Sequence, residues 1–185
     1  GFSPHPKVHF GLALSTGHES LAEYMDLDLA DDAPDHPGPA ELAALPALLT
    51  AALPVGLEVT AVAPIASNAT SLQQAVESCE WRIEIRGAEP HEVEAAAERV
   101  LAAPELTIPR QRKGRDVTDD VRPYVLALAV VGPTDAGTEI DAHLATQPRG
   151  LRTSELLSVL DTGGGEGRGR RLTQWMLLGG APCEP

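Results

Sequence analysis

The chain has 185 residues and a formal net charge of −13, with 43% hydrophobic, 22% charged and only 3% aromatic residues. These proportions predict a packed globular protein with an aliphatic interior and exclude a disordered tail. The acidic balance also argues against a basic domain that coats nucleic acid. Two cysteines, Cys79 and Cys183, cannot supply a disulfide framework, a four-cysteine zinc site or an iron–sulfur cluster, so no cofactor is predicted.

No apolar segment approaches the length of a membrane span. The longest apolar run, residues 124–131, is far shorter than the ~20 residues that cross a bilayer. The chain begins at Gly1, with no charged and then apolar leader behind it. We therefore expect a cytoplasmic protein without a membrane partner, whose true beginning is missing from the sequence.

The first half of the chain is predicted to contain three strands and one helix. Residues 5–14 and 23–29 both alternate apolar and polar side chains, which predicts two strands of one hairpin. Leucines at helical spacing predict a helix over residues 39–53, which Pro46 should kink or divide. Residues 57–65 are expected to return to an extended strand. This β-β-α-β order lacks the β-α unit that would precede it in a ferredoxin-like fold.

The second half is predicted to be a complete unit of the same kind. Residues 124–131 are almost continuously apolar, which is typical of a strand in the middle of a sheet. The glycine tract 163–169 is expected to be a flexible linker that carries arginines. The predicted elements are a strand (81–86), a helix (90–104), a short strand (106–108), strands (124–131 and 138–145), a helix capped by Thr153 or Ser154, and a last strand (172–178).

These elements predict an α+β protein of two tandem ferredoxin-like sandwiches, the first of which lacks its initial β-α unit. The truncated half is assigned to residues 1–68 and the complete half to residues 69–185. Small and polar residues over 66–71 form the expected joint.

Basic residues are concentrated in one third of the chain. Residues 110–171 carry ten of the fourteen bases and nine acids, whereas residues 1–64 carry one base and nine acids. One group of bases surrounds Gly114 in a predicted loop, a pattern that favours contacts with phosphates, and it could equally be a solubilising surface. This candidate RNA-binding group is Arg110, Arg112, Lys113, Arg115 and Arg122. A second group contains Arg168, Arg170 and Arg171.

A further candidate for anion binding lies near the start of the chain. His5, Lys7 and His9 alternate with other residues and therefore share one face of the predicted strand. A zinc-like pair of histidines at this spacing requires a helix, which Pro6 excludes, so no metal is predicted. The alternatives are an exposed sheet face and a cross-strand pair of Lys7 with an aspartate. No catalytic triad can be assembled from the sequence.

Five motifs stand out along the chain: Gly-Phe-Ser-Pro-His-Pro-Lys (1–7), Glu-Ser-Leu-Ala-Glu-Tyr (19–24), Leu-Pro-Val-Gly-Leu (53–57), Lys-Gly (113–114) and Asp-Val-Arg-Pro-Tyr (120–124). Together they resemble the bacterial radical-SAM-linked protein family, an uncharacterised domain found beside or fused to radical S-adenosylmethionine proteins. The resemblance covers most of residues 1–160, and the tail after Thr162 departs from it. It implies a radical-SAM protein as partner, a strand and helix ahead of Gly1, and no established reaction.

The preferred hypothesis is a non-catalytic module that works with a radical-SAM enzyme and presents RNA or another anionic substrate. One alternative is an enzyme that processes or modifies RNA, with His5 or His9 as the proton carrier. The other is a protein–protein adaptor in which the acidic first half docks the enzyme.

Overall fold

The structure is a computed structural model that describes residues 7–28, 37–66, 68–112 and 114–185. Within these ranges the chain is a mixed α+β protein. The helices are α1 (Pro39–Ala52), α2 (Leu72–Ala75), α3 (Pro90–Ala102) and α4 (Thr153–Leu160), with a 3₁₀ turn at Arg122–Tyr124. The strands are β1 (Lys7–Phe10), β2 (His18–Ser20), β3 (Met25–Asp28), β4 (Val76–Arg86), β5 (Thr107–Arg112), β6 (Arg115–Asp120), β7 (Val125–Pro133), β8 (Gly137–Ala145), β9 (Gly165–Leu178) and β10 (Ala181–Cys183).

The chain divides into two compact units, one within residues 1–8 and 27–70, the other within residues 9–26 and 71–185. The predicted boundary between residues 68 and 69 stays a prediction. In the first unit α1 is one continuous helix that contains Pro46, so the helix is not divided there, and the alternative of a kink stays a prediction. The strand predicted over residues 57–65 is also wrong, because residues 57–66 form none. The predicted pairing of the first two long strands is confirmed, since β1 and β3 form a two-stranded sheet.

The second unit is built on an antiparallel sheet with the strand order β10-β9-β4-β8-β7, and β2 runs parallel to β9. The apolar run predicted in the middle of the sheet is β7, which lies at its end, so that prediction is wrong. Leu126 and Val131 of β7 are 48% and 47% exposed, whereas Leu128 and Val130 pack against the core. The central strands are β4 and β8. Their buried side chains form the core together with α3 and α4; its fully buried members on these elements include Ile83, Ile85, Val93, Val100, Ile140, Leu144, Leu156 and Leu160.

Helix α3 shows how local sequence sets an element and its buried face. Pro90 occupies the first turn, where its missing N–H costs nothing, and the Glu92 carboxylate accepts a hydrogen bond from the Glu89 amide at 3.0 Å. The helix ends before Pro104, as predicted. Its buried side chains recur at helical spacing and are Val93, Ala96, Ala97 and Val100.

The glycine tract is part of a strand, so its predicted role as a flexible linker is wrong. Strand β9 already begins at Gly165. A Cβ atom at Gly167 would lie 2.5 Å from the Glu84 carboxylate, and one at Gly169 would overlap the His18 ring. The glycines are therefore required where neighbouring side chains lie against the backbone.

Candidate functional site

The basic cluster around Gly114 lies on a β-hairpin rather than in the predicted loop. Strands β5 and β6 pair from Thr107↔Asp120 to Arg112↔Arg115, and Gly114 lies in the turn between them. Gly114 has a φ of +74°, the left-handed conformation that tight hairpin turns require. Lys113 itself lies outside the described residues. The sequence has no acidic residue from Arg110 to Arg115, which makes the closed end of the hairpin basic.

Acidic residues anchor the open end of this hairpin. Asp119 accepts a hydrogen bond from Arg110 at 2.9 Å and lies 3.5 Å from Nε of Arg149. Asp120 accepts hydrogen bonds from the backbone amides of Leu106 and Arg122 at 2.8 and 3.0 Å. Because these bonds hold the open end of the hairpin, Asp119 and Asp120 set its position in the fold.

The side chain of Arg122 is engaged in contacts within the fold. Its two terminal nitrogens donate to the carbonyls of Val125 and Leu101, each at 2.7 Å. Leu101 lies in the last turn of α3, where carbonyl groups lack partners within the helix. The structure therefore places the Arg122 guanidinium at the end of α3, apart from the hairpin turn.

The residues of the first strand are placed as follows. Lys7 lies on β1 with its side chain 76% exposed, and its Nζ is 3.8 Å from Asp28, the cross-strand pair that the sequence offered as an alternative. His9 is exposed on the same strand. His5 lies outside the described residues. Among those that are described, no three His, Cys, Asp or Glu side chains are grouped as metal ligands.

The second arginine group is held by the motif residues that precede β3. Glu19 of β2 accepts hydrogen bonds from Nη2 and Nε of Arg170 at 2.7 and 2.9 Å, and it lies 3.8 Å from Arg168. The hydrogen bonds from Arg170 are the main cause that holds the pKa of Glu19 below its usual value. Glu23 pairs with Arg171 at 2.8 Å. Sequence reasoning missed these pairs because their members are about 150 residues apart.

Arg171 is the buried centre of this arrangement, with 2% of its surface exposed. Besides Glu23, its guanidinium donates to the carbonyls of Leu12 and Ala13 at 3.0 and 3.3 Å. The same group lies over the Trp81 ring, 5.0 Å from the centroid. Arg171 therefore fastens the segment 9–26 to the sheet.

A polar cluster around His18 also adjoins Trp81. The His18 ring meets Trp81 edge-on, with centroids 5.6 Å apart. Nε2 of His18 lies 3.0 Å from Thr153 Oγ1 and 3.2 Å from Glu166 Oε1, and Thr153 donates to the same Glu166 oxygen. Three elements, β2, α4 and β9, meet in this cluster, so it links the segment 9–26 to the end of the sheet.

Cys79 is predicted to be unreactive in the folded protein. Burial raises the pKa of its thiol to about 11, from the ordinary 9. At pH 8 this leaves about a hundredfold less thiolate, the form that iodoacetamide alkylates. In a Cys183→Ser variant, which isolates Cys79, we expect alkylation only after denaturation, as measured by intact mass. Labelling of the folded variant at the denatured rate would contradict this account.

The family model described as an uncharacterized protein conserved in bacteria (DUF2344) matches residues 1–154. The chain belongs to this family. The expected membership of an uncharacterised bacterial family is thus confirmed, and the link to radical SAM proteins stays a prediction. No curated protein and no solved structure matches the chain.

The DUF2344 match includes the hairpin and both motif glutamates, and it ends inside α4. Strand β9, which carries the arginines bound by Glu19 and Glu23, lies beyond the matched residues. In the part of the chain that the structure describes, no helix combines the length and the apolar character needed to cross a bilayer.

Proposed function

We propose that the chain is a non-catalytic accessory module that binds RNA or another polyanion through the turn of the β5–β6 hairpin. One observation supports the proposal above others: the strand register sets Arg112 directly opposite Arg115 at the closed end. Like charges at opposed positions destabilise a hairpin, and a bound phosphate would relieve that repulsion. Arginine is also the side chain best suited to grip phosphate.

The arginines of β9 are weaker candidates, because each already has an ion pair with Glu19 or Glu23. With a net charge of −13, the chain as a whole repels nucleic acid. Binding therefore depends on a local basic surface. The hairpin turn has three bases in four consecutive residues, 112–115.

The proposal is tested by replacing Arg112, Lys113 and Arg115 together with alanine. We expect the affinity for a fluorescein-labelled single-stranded RNA of 20 nucleotides to fall by about tenfold or more at low salt, because three phosphate contacts are lost. The slope of log affinity against log salt concentration should become shallower by about two, because each of the three lost phosphate contacts contributes roughly 0.7 to it. Fluorescence anisotropy across a salt series measures both quantities.

The matched control removes Arg168 and Arg170, which are exposed but paired with Glu19. Their replacement with alanine is expected to change RNA affinity by less than twofold. Equal losses of RNA affinity in both variants would show that binding depends on the net charge of the chain rather than on the hairpin. Unchanged binding by the triple variant, or no binding by the original chain, would overturn the proposal.

We further propose a radical SAM protein as partner and the cytoplasm as location. The partner rests on the resemblance of the motifs at residues 1–7 and 19–24, and the location rests on the sequence composition. Affinity purification from cells with mass spectrometry of the captured proteins tests the partner, and failure to recover a radical SAM protein would contradict it. Immunoblotting of the cytoplasmic and membrane fractions tests the location, and recovery outside the cytoplasmic fraction would contradict it.

The order of elements in the second unit supports a ferredoxin-like assignment as a proposal. β4, α3, β7, β8, α4 and β9 follow the β-α-β-β-α-β order, with the β5–β6 hairpin inserted after α3. The tandem arrangement of two such sandwiches stays a prediction, because residues 57–66 do not provide the last strand of the first one.

A further inference from the structure

A cavity of about 390 Å³ lies on the sheet of the second unit, where β9 turns back into β10. Its volume falls in the range of small-ligand sites. Residues of β4, β8 and β9 line it together with Pro182 of β10. The lining residues are Glu77, Ser78, Glu80, His143, Trp175, Met176, Leu177 and Pro182.

The polar groups of this cavity come from neighbouring strands. Glu80 pairs in register with His143 of β8, and Ser78 pairs with Trp175 of β9. Nε2 of His143 lies 2.8 Å from Ser78 Oγ. No carboxylate of the described residues bonds the other ring nitrogen, so the pair lacks the third group of a nucleophilic triad. It forms a polar surface of the cavity instead.

The charge and the aromatic character of the lining residues indicate which kind of ligand this cavity would bind. The lining residues include two carboxylates, Glu77 and Glu80, and no lysine or arginine. Neither carboxylate has an ion pair within the described residues. Trp175 is half-buried, and tryptophan is the ring that attracts cations most strongly. Its indole nitrogen is buried and has no hydrogen-bond partner in the described part of the chain, so the hydrogen-bonding capacity of this N–H group is unsatisfied.

We propose that this cavity binds an organic cation, an alkylammonium group whose charge faces Glu80 and whose carbon atoms contact Trp175, Leu177 and Pro182. The acidic lining opposes a phosphate or carboxylate ligand. The apolar wall favours an ammonium group that carries alkyl substituents over a hydrated metal ion. This site is independent of the basic hairpin and takes a ligand of the opposite charge.

The experiment uses the full chain labelled with ¹⁵N and follows its two tryptophan indole signals, which a Trp175→Phe spectrum assigns. Titration with tetramethylammonium chloride is expected to shift the Trp175 signal saturably and leave the Trp81 signal in place. Sodium chloride at equal ionic strength should cause no such shift. The neutral analogue tert-butanol is expected to bind at least tenfold more weakly, because it retains the shape and loses the charge.

A pair of charge-matched variants completes the test. Glu80→Gln is expected to weaken tetramethylammonium binding about tenfold. Glu139→Gln, on β8 and outside the cavity lining, should leave the binding unchanged. Unperturbed signals elsewhere in the spectrum establish that each variant is folded. The proposal is overturned by a linear, unsaturable shift, by equal affinity for tert-butanol, or by equal effects of the two variants.

Discussion

Replacement of Arg171 with methionine is expected to lower the free energy of unfolding by about 2 kcal/mol, because its buried guanidinium donates hydrogen bonds to two backbone carbonyls and to Glu23, whose own side chain is 40% exposed. Methionine keeps much of the side-chain volume and loses every polar contact. Glu23 and the carbonyls of Leu12 and Ala13 then lose their donor, and Trp81 loses the cation above its ring. Urea unfolding monitored by circular dichroism measures the change.

The matched control is Arg170→Met, one residue away on the same strand. Arg170 also pairs with a glutamate, but its side chain and that of Glu19 are 38% and 51% exposed. Exposed pairs of this kind contribute little to stability, because solvent screens the two charges. Limited proteolysis should show the segment 9–26 cut faster in Arg171→Met than in Arg170→Met. Equal stability of the two variants would show that burial of Arg171 contributes nothing.

The elements that the sequence predicts well carry their own signals. The helix expected between Pro90 and Pro104 is α3, because proline marks both boundaries and small apolar residues recur on one face. The strand expected over residues 138–145 is β8, in which buried and partly exposed residues alternate along the whole length. In both cases the local pattern and the tertiary environment agree.

Several predictions that failed depend on segments that are distant in sequence. An apolar run such as that of β7 is compatible with a central or an edge strand, and only the pairing partner decides between them. The glycines of β9 suggest flexibility because Glu84 and His18, which lie against them, are distant along the chain. The sequence predicts a strand over residues 106–108 and a loop after it, whereas the strand continues through Pro109 to Arg112 although proline has low strand propensity.

The candidate sites also differ in whether their residues are close together in the sequence or are brought together only by the fold. The basic turn is visible in the sequence because its members are consecutive. The cluster around Arg171 and the cavity beside Trp175 are assembled from elements far apart in the chain, so no spacing rule reveals them. The structure also separates bases that the sequence grouped together. Arg110 pairs with Asp119 and Arg122 caps α3, which leaves residues 112–115 as the basic turn.

Replacement of Gly137 with alanine is expected to destabilise the second unit by about 3 kcal/mol. A Cβ atom there would overlap the carbonyl oxygen of Ile85 and lie 2.9 Å from the backbone of Arg86 and Gly87. Overpacking of this kind costs about 1–3 kcal/mol, and each ladder hydrogen bond lost adds about 1 kcal/mol. Because the colliding atoms are backbone, no side-chain rotation relieves the clash, and β8 must separate from β4. Thermal unfolding followed by circular dichroism measures the loss.

Gly165 provides the matched control, because it pairs with the same residue of β4, Arg86, from the opposite side. A Cβ atom at Gly165 meets nothing within 4 Å, and its backbone is not in the left-handed region. Gly165→Ala is therefore expected to be neutral, or to stabilise by about 0.5 kcal/mol through the lower entropy of the unfolded chain. If both substitutions proved equally harmless, the close approach of β8 to β4 at Gly137 would be refuted. If only Gly137→Ala lowers the stability of the protein, then the close contact with β4, rather than strand propensity, is the reason that glycine is required at the start of β8.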